Sequence, residues 1–290
     1  EDALTLLGAC GVFDSVRAGE DAARFRAVYG TIGILPPDQY LSVVLQATRG
    51  CSFGTCTFCD LYHDAYRVRT PDEFERHLSD VMAYLGASLW LRDRSVFLGE
   101  ANALAIPTPR LLELLGRLVA SPLARRPVHA FVDAFAGARR DAAEYCELAG
   151  LGLRRVYIGL ESGHSPLLEF VRKPGTSDEA VETVRAIKEA GVAVGVIVIV
   201  GLGGKRFEDG HVADTIATLN RMPLGPGDLL YFSDLVEVPG TVYPTEAATA
   251  GIEPLGPAER TRQMHAIRTG LVFAGAAPKA ARYDIREFVY

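Results

Sequence analysis

An α/β fold, built as a partial (β/α)6 barrel of the TIM type, is predicted by three features of this 290-residue chain. Apolar, β-branched runs recur along it, stretches of helical periodicity lie between them, and glycines or capping residues stand at the joints. The apolar runs fall at 41–48, 94–99, 128–133, 155–161, 193–201 and 228–237. The helical stretches fall at 72–86, 109–120, 139–149, 177–190 and 208–220. Strands alternating with helices of this length form βαβ units and a parallel sheet. Six such units in succession favour a barrel, or an open three-quarter barrel, over a doubly wound sheet. No glycine-rich dinucleotide fingerprint with an acidic ribose binder stands against that reading.

Taken in order, residues 1–40 form an N-terminal extension, 41–240 the barrel core, and 241–290 a C-terminal extension expected to close the barrel. The first strand leads into a cysteine-bearing loop. Thr70-Pro71-Asp72-Glu73 then supplies a helix cap with acids in its first turn, and Gly86 stands at the far end. The second strand ends in Leu98-Gly99-Glu100-Ala101-Asn102, and the third ends at Asp133. The next helix carries Cys146 and stops at Gly150. The fourth strand ends in Glu161-Ser162-Gly163, Thr176-Ser177-Asp178-Glu179 starts the following helix, and Gly191 ends it. The fifth strand runs into Gly201-Leu202-Gly203-Gly204, and the sixth ends near Ser233-Asp234. Lys279–Tyr290 is read as structural. Ligands of such barrels sit at the C-terminal ends of the strands, so these polar and glycine-rich ends are expected to share one rim.

The loop after the first strand holds Cys51, Cys56 and Cys59, spaced C-x4-C-x2-C, with Phe58 before the last. Three thiolates without a fourth cysteine nearby describe an incomplete cage. A [4Fe–4S] cluster held by only three cysteines keeps one iron open to a substrate or cosubstrate. Two plainer readings compete. His63 could complete a Cys3His zinc staple, or the cluster could serve electron transfer or redox sensing alone. A disulfide framework fits poorly, because the chain has five cysteines and shows no signal peptide. Cys10 and Cys146 read as small buried side chains.

Composition bounds the class. With 49% hydrophobic residues the chain can bury a large core, and a net charge of −6 offers no field for nucleic acid. The longest apolar stretch, Val192–Val200, is too short to cross a bilayer. A cytoplasmic enzyme with no nucleic-acid or membrane partner is the expectation. Residue 1 is Glu rather than Met, so upstream sequence is expected to precede it.

The cysteine motif resembles that of the radical S-adenosylmethionine (radical SAM) superfamily. The resemblance extends through Val96–Leu104, Val156–Gly163, Arg172-Lys-Pro-Gly-Thr176 and Val196–Gly204, and covers roughly residues 40–240. It implies a [4Fe–4S] cluster on Cys51, Cys56 and Cys59 whose open iron chelates the amino and carboxylate groups of S-adenosylmethionine. One-electron cleavage would then give a 5′-deoxyadenosyl radical that abstracts hydrogen from a substrate. It implies that Glu100, helped by Asn102, accepts hydrogen bonds from the methionine amino group. Glu161 and Ser162 would meet ribose or methionine, and Lys173 the carboxylate. Ile197 to Val200 would supply the apolar wall for adenine and Gly201 a close backbone approach, with Phe58, the aromatic before the last cysteine, also at the cofactor. A flavodoxin or ferredoxin would supply the electron. The chain departs from the family pattern in three places: x4 replaces x3 between the first two cysteines, Leu98 stands for the first glycine of the second-strand motif, and no glutamate follows Gly203-Gly204.

With only Cys10 and Cys146 outside the loop, no auxiliary cluster of the multi-cysteine type is expected. Nor is an N-terminal cobalamin domain of ~100 residues. A small or medium-sized organic substrate inside the barrel remains. Strand alternation offers His129, Phe131 and Asp133, Tyr157 and Gly159, and either Tyr231, Ser233 and Glu237 or the face of Asp234 to it. His129 is read first as a hydrogen-bonded core histidine; His63 and His211 carry no assigned role.

Overall fold

The computed structural model describes residues 8, 14–92, 94–133, 140–238, 240–288 and 290; Cys10 and Arg139 lie outside them. The core is one parallel sheet. Strands β1 (Val43–Gln46), β4 (Val96–Gly99), β5 (Val128–Val132), β6 (Leu153–Glu161), β7 (Ala193–Val200) and β8 (Leu229–Asp234) pair in chain order. A further strand, β9 (Lys279–Tyr283), adds to β8, making seven; a small antiparallel pair, β2 (Thr48–Arg49) and β3 (Arg67–Val68), flanks the cysteine loop. The helices are α1 (Ser15–Tyr29), α2 (Pro71–Leu85), α3 (Thr108–Val119), α4 (Ala142–Gly150), α5 (Ser165–Phe170), α6 (Ser177–Glu189), α7 (Gly204–Asn220), α8 (Tyr243–Thr249) and α9 (Pro257–Thr269).

The caps read from sequence form. Thr70 and Thr176 each accept from the third residue onward, and Glu73 and Glu179 return the bond to the cap. Helix α3 buries Leu111, Leu114, Leu115 and Leu118, the spacing of one helical face laid on the sheet. Cys146 differs from expectation: it is exposed, because α4 turns Tyr145 and Leu148 to the core instead.

Inside the sheet's curve the side chains form layers. At the strands' N-terminal end, Asp38 accepts from Tyr157 Oη (2.6 Å), Tyr231 Oη (2.8 Å), Arg155 (3.0 Å) and Gln39 Nε2 (2.8 Å). Above this floor Phe97, Phe131 and Tyr157 pack with ring centroids 5.2–6.0 Å apart. Gly195 must be glycine here: a Cβ would lie 2.5 Å from the Tyr157 ring. The last residue, Tyr290, reaches the edge strand opposite β9: its hydroxyl accepts from Val44 N (3.0 Å) and donates to Ser42 O (3.1 Å).

Three histidines are buried in this frame. Burial holds His77 at a pKa of about 3 and His129 and His211 at about 4, against an ordinary 6.5. His77 must stay neutral, since its Nε2 accepts from Gln46 N at 3.0 Å. His129 Nδ1 has no hydrogen-bond partner. Because the folded values are depressed, the unfolded chain protonates first as pH falls. Stability is therefore full above pH ~6.5 and drains on the way to pH ~4, by on the order of 3 kcal/mol per histidine. Urea midpoints should fall steadily from pH 7 to pH 5, and a flat profile over that window would contradict the assignment.

Candidate functional site

The β1–α2 loop is tied down at both ends. At its root Gly50 has φ +71°, and a Cβ there would lie 2.2 Å from Asp64 O. Gly50 N donates to Glu100 Oε2 (2.7 Å), and Gln46 Nε2 donates to Glu100 Oε1 (2.6 Å). Asn102 links the loop to the sheet: its Nδ2 donates to Ser52 Oγ (3.0 Å) while its Oδ1 accepts from Asp133 N (2.9 Å). Farther along, Thr57 N donates to Val171 O, and Thr57 O accepts from Tyr243 N, both at 3.0 Å. Thr55 Oγ1 donates to Arg172 O (3.2 Å), next to Lys173. The loop thus presents its cysteines in register with the turn that carries Lys173.

Cys51, Cys56 and Cys59 all line one cavity at the C-terminal ends of the strands, about 1150 Å3 including its open mouth. Burial pushes the Cys56 thiol up to about 12 and raises that of Cys59 as well. Among the described residues, no three His, Cys, Asp or Glu side chains converge on a single-ion point. A [4Fe–4S] cluster instead gives each thiolate its own iron. His63 lies off the cavity, 73% exposed, 3.5 Å from Asp60.

The opposite wall is charged. Lys173 Nζ stands 3.7 Å from Glu161 Oε1 and 3.9 Å from Asp133 Oδ2, all three side chains largely buried. Burial alone would lower the Lys173 pKa, but Asp133 and Glu161 outweigh it, so the ammonium stays charged. Glu161 sits after a register shift between β6 and β7, with φ +58°, and its Oε1 fills the place of a side chain at Gly159. Phe58, Phe131, Ile197 and Ile199 supply apolar surface.

The expected residues divide accordingly. Phe58, Glu161, Lys173 and Ile197 line the cavity with the three cysteines. Glu100 and Asn102 lie behind it, beside the lining Ala101, with their side chains committed to the loop. Ser162 and Gly201 do not line it: Ser162 turns to α7, and Gly201 N donates to Gln263 Oε1 (2.7 Å) beside Arg260. On β8, Ser233 and Asp234 both line the cavity, while Tyr231 belongs to the floor. Asp60, Tyr62 and Tyr283 also line it and were not singled out from sequence. They lie in or beside a loop, or on an edge strand after a helical insertion, where no periodicity marks them.

Among the described residues no helix is long and apolar enough to cross a membrane. No curated protein sequence matches the chain. The chain is similar in structure to coproporphyrinogen III oxidase (HemN) from Escherichia coli, a radical SAM enzyme, with 14% identity, a TM-score of 0.55, and coverage of 87% of this chain and 54% of that one. It is also similar to the cobalamin-dependent S-adenosylmethionine radical enzyme OxsB (15% identity, TM-score 0.52, 81% of this chain and 33% of that one). Methylornithine synthase (PylB) matches at 13% identity and a TM-score of 0.50, over 91% of this chain and 72% of that one. At these identities the likeness shows the fold, and the chain spans about a third of the length of OxsB. The family model of the Radical SAM superfamily matches residues 45–216, more than half of the chain and the whole of β4 to β7. The chain belongs to the radical SAM superfamily.

Proposed function

We propose that this chain is an enzyme that holds a [4Fe–4S] cluster on Cys51, Cys56 and Cys59, binds S-adenosylmethionine beside it, and acts on a small organic substrate in the same cavity. The observation that carries this reading is the donor set: three free thiols on one loop, facing a cavity whose far wall holds one ammonium between two carboxylates. Three thiolates suit a cluster with one open iron, and the cavity they line opens to solvent at the strands' C-terminal ends.

Held there, the cluster and cosubstrate would supply one-electron cleavage chemistry of the kind that yields a 5′-deoxyadenosyl radical able to abstract hydrogen. The chain's own residues do the positioning. Glu100 anchors the loop root through Gly50 and Gln46, and Asn102 anchors it to β5 through Ser52. Lys173 offers the charge for the methionine carboxylate, with Glu161 next to it for polar groups. Phe58 and Ile197 form apolar wall that keeps water from the reacting centre. Ser162 and Gly201 make no contact in this scheme. The electron would come from a flavodoxin or ferredoxin, and the thiols fit a reducing, cytoplasmic setting.

The test is anaerobic reconstitution with iron and sulfide, followed by electron paramagnetic resonance after dithionite, with and without S-adenosylmethionine. A reduced [4Fe–4S] signal that shifts on adding S-adenosylmethionine, together with formation of 5′-deoxyadenosine, is expected. A colourless protein with about one zinc per chain, or a cluster signal indifferent to S-adenosylmethionine, would overturn the proposal.

A further inference from the structure

Helix α7 spends its inner face on a three-residue turn. His211 Nδ1 and Ser162 Oγ are 2.7 Å apart, and Ser162 Oγ also accepts from His164 N (3.0 Å). Gly163 N donates to Thr215 Oγ1 (2.9 Å), and His164 Nδ1 pairs with Asp214 Oδ2 (2.6 Å). Gly163 lies so close that a Cβ would be 2.3 Å from Asp214 O and 2.6 Å from Thr218 Oγ1. Positions 211, 214, 215 and 218 follow the spacing of a single helical face, and Ser162, His211 and Thr215 are fully buried. The residue just before this turn is Glu161, held at φ +58° with its carboxylate in the cavity. For a residue other than glycine that conformation is uncommon and persists where neighbours over-determine it.

We infer that the polar face of α7 is a clasp for the β6–α5 turn, and that His211, acting through Ser162, is a positioning residue. It holds Glu161 in its left-handed conformation and so keeps the carboxylate beside Lys173, where it meets the cosubstrate. The inference rests on the proposed function, and gives Ser162 a role although it does not face the cavity.

The experiment measures S-adenosylmethionine binding by equilibrium dialysis to the anaerobically reconstituted protein, as a double-mutant cycle. His211→Leu should weaken binding about tenfold, within the range that coupled positions show. His211→Asn, whose amide can occupy the place of Nδ1, should restore most of it. Glu161→Gln should weaken binding to a similar degree, and adding His211→Leu to it should cost nothing more. Ser162→Ala, a smaller change, carries the same expectation if His211→Leu does not fold. Losses that simply add, or wild-type binding in both His211→Leu and Ser162→Ala, would overturn the inference and leave the proposed function intact. A wild-type cluster that binds no S-adenosylmethionine would instead overturn that function.

Discussion

Alanine at Cys51, Cys56 or Cys59 is expected to abolish cluster retention, taking iron per chain to background after anaerobic reconstitution and ending cleavage of S-adenosylmethionine. The argument is one of ligand number. The loop brings three thiols to the cavity, and none of the other described cysteines approaches: Cys146 is exposed on α4. Removing one leaves two protein ligands for a cluster that normally takes four. Partial retention through a substitute ligand is the alternative, and His63 is the nearest histidine in sequence. It points into solvent beside Asp60, so His63→Ala should hold its full iron. Loss of the cluster in His63→Ala, or a full cluster in any of the cysteine variants, would return the site to a different chemistry.

The cysteine spacing and the strand ends made much of this site legible, for a physical reason. A barrel delivers the ends of its strands to one rim, so Asp133, Glu161 and the loop after β1 meet although far apart in sequence. The strands and helices of the core were equally readable, because buried parallel strands are near-continuous apolar runs and α3 shows its leucine face openly. What stayed hidden was direction within a turn. Glu161 and Ser162 are adjacent polar residues, yet a register shift and a positive φ send one into the cavity and the other toward His211. Glu100 likewise reads as an acid at a strand end, and only the fold shows Gly50 N and Gln46 Nε2 on its two oxygens. Strand β9 escaped notice because its residues are largely exposed and carry no apolar run.

Asp38→Ala should destabilise the barrel floor while leaving the rim intact. Asp38 comes from the short segment before β1, where nothing in the sequence sets it apart from a surface acid. In the fold it accepts from the hydroxyls of Tyr157 and Tyr231 and from Arg155, joining β6 to β8 across the barrel floor. Tyr157 is fully buried and Tyr231 nearly so, and Arg155 Nε already lacks a partner. Removing the carboxylate takes the acceptor from two tyrosine hydroxyls and the counter-charge from Arg155, at a floor whose Asp38 edge is open to water. Taking the acceptor from two part-buried hydroxyls costs about 1–3 kcal/mol, which for a chain of this size lowers Tm by about 5 °C. Asp38→Asn keeps an acceptor oxygen for one tyrosine and should lose roughly half as much. The floor and the rim lie at opposite ends of the strands. Asp38→Ala should therefore still take up iron at permissive temperature, and its S-adenosylmethionine-dependent signal should match the wild type. Thermal unfolding followed by circular dichroism, with iron content measured on the same samples, separates the two effects. An unchanged Tm would show that the floor tolerates its polar groups without Asp38, and a lost cluster would show that the two ends of the barrel are coupled.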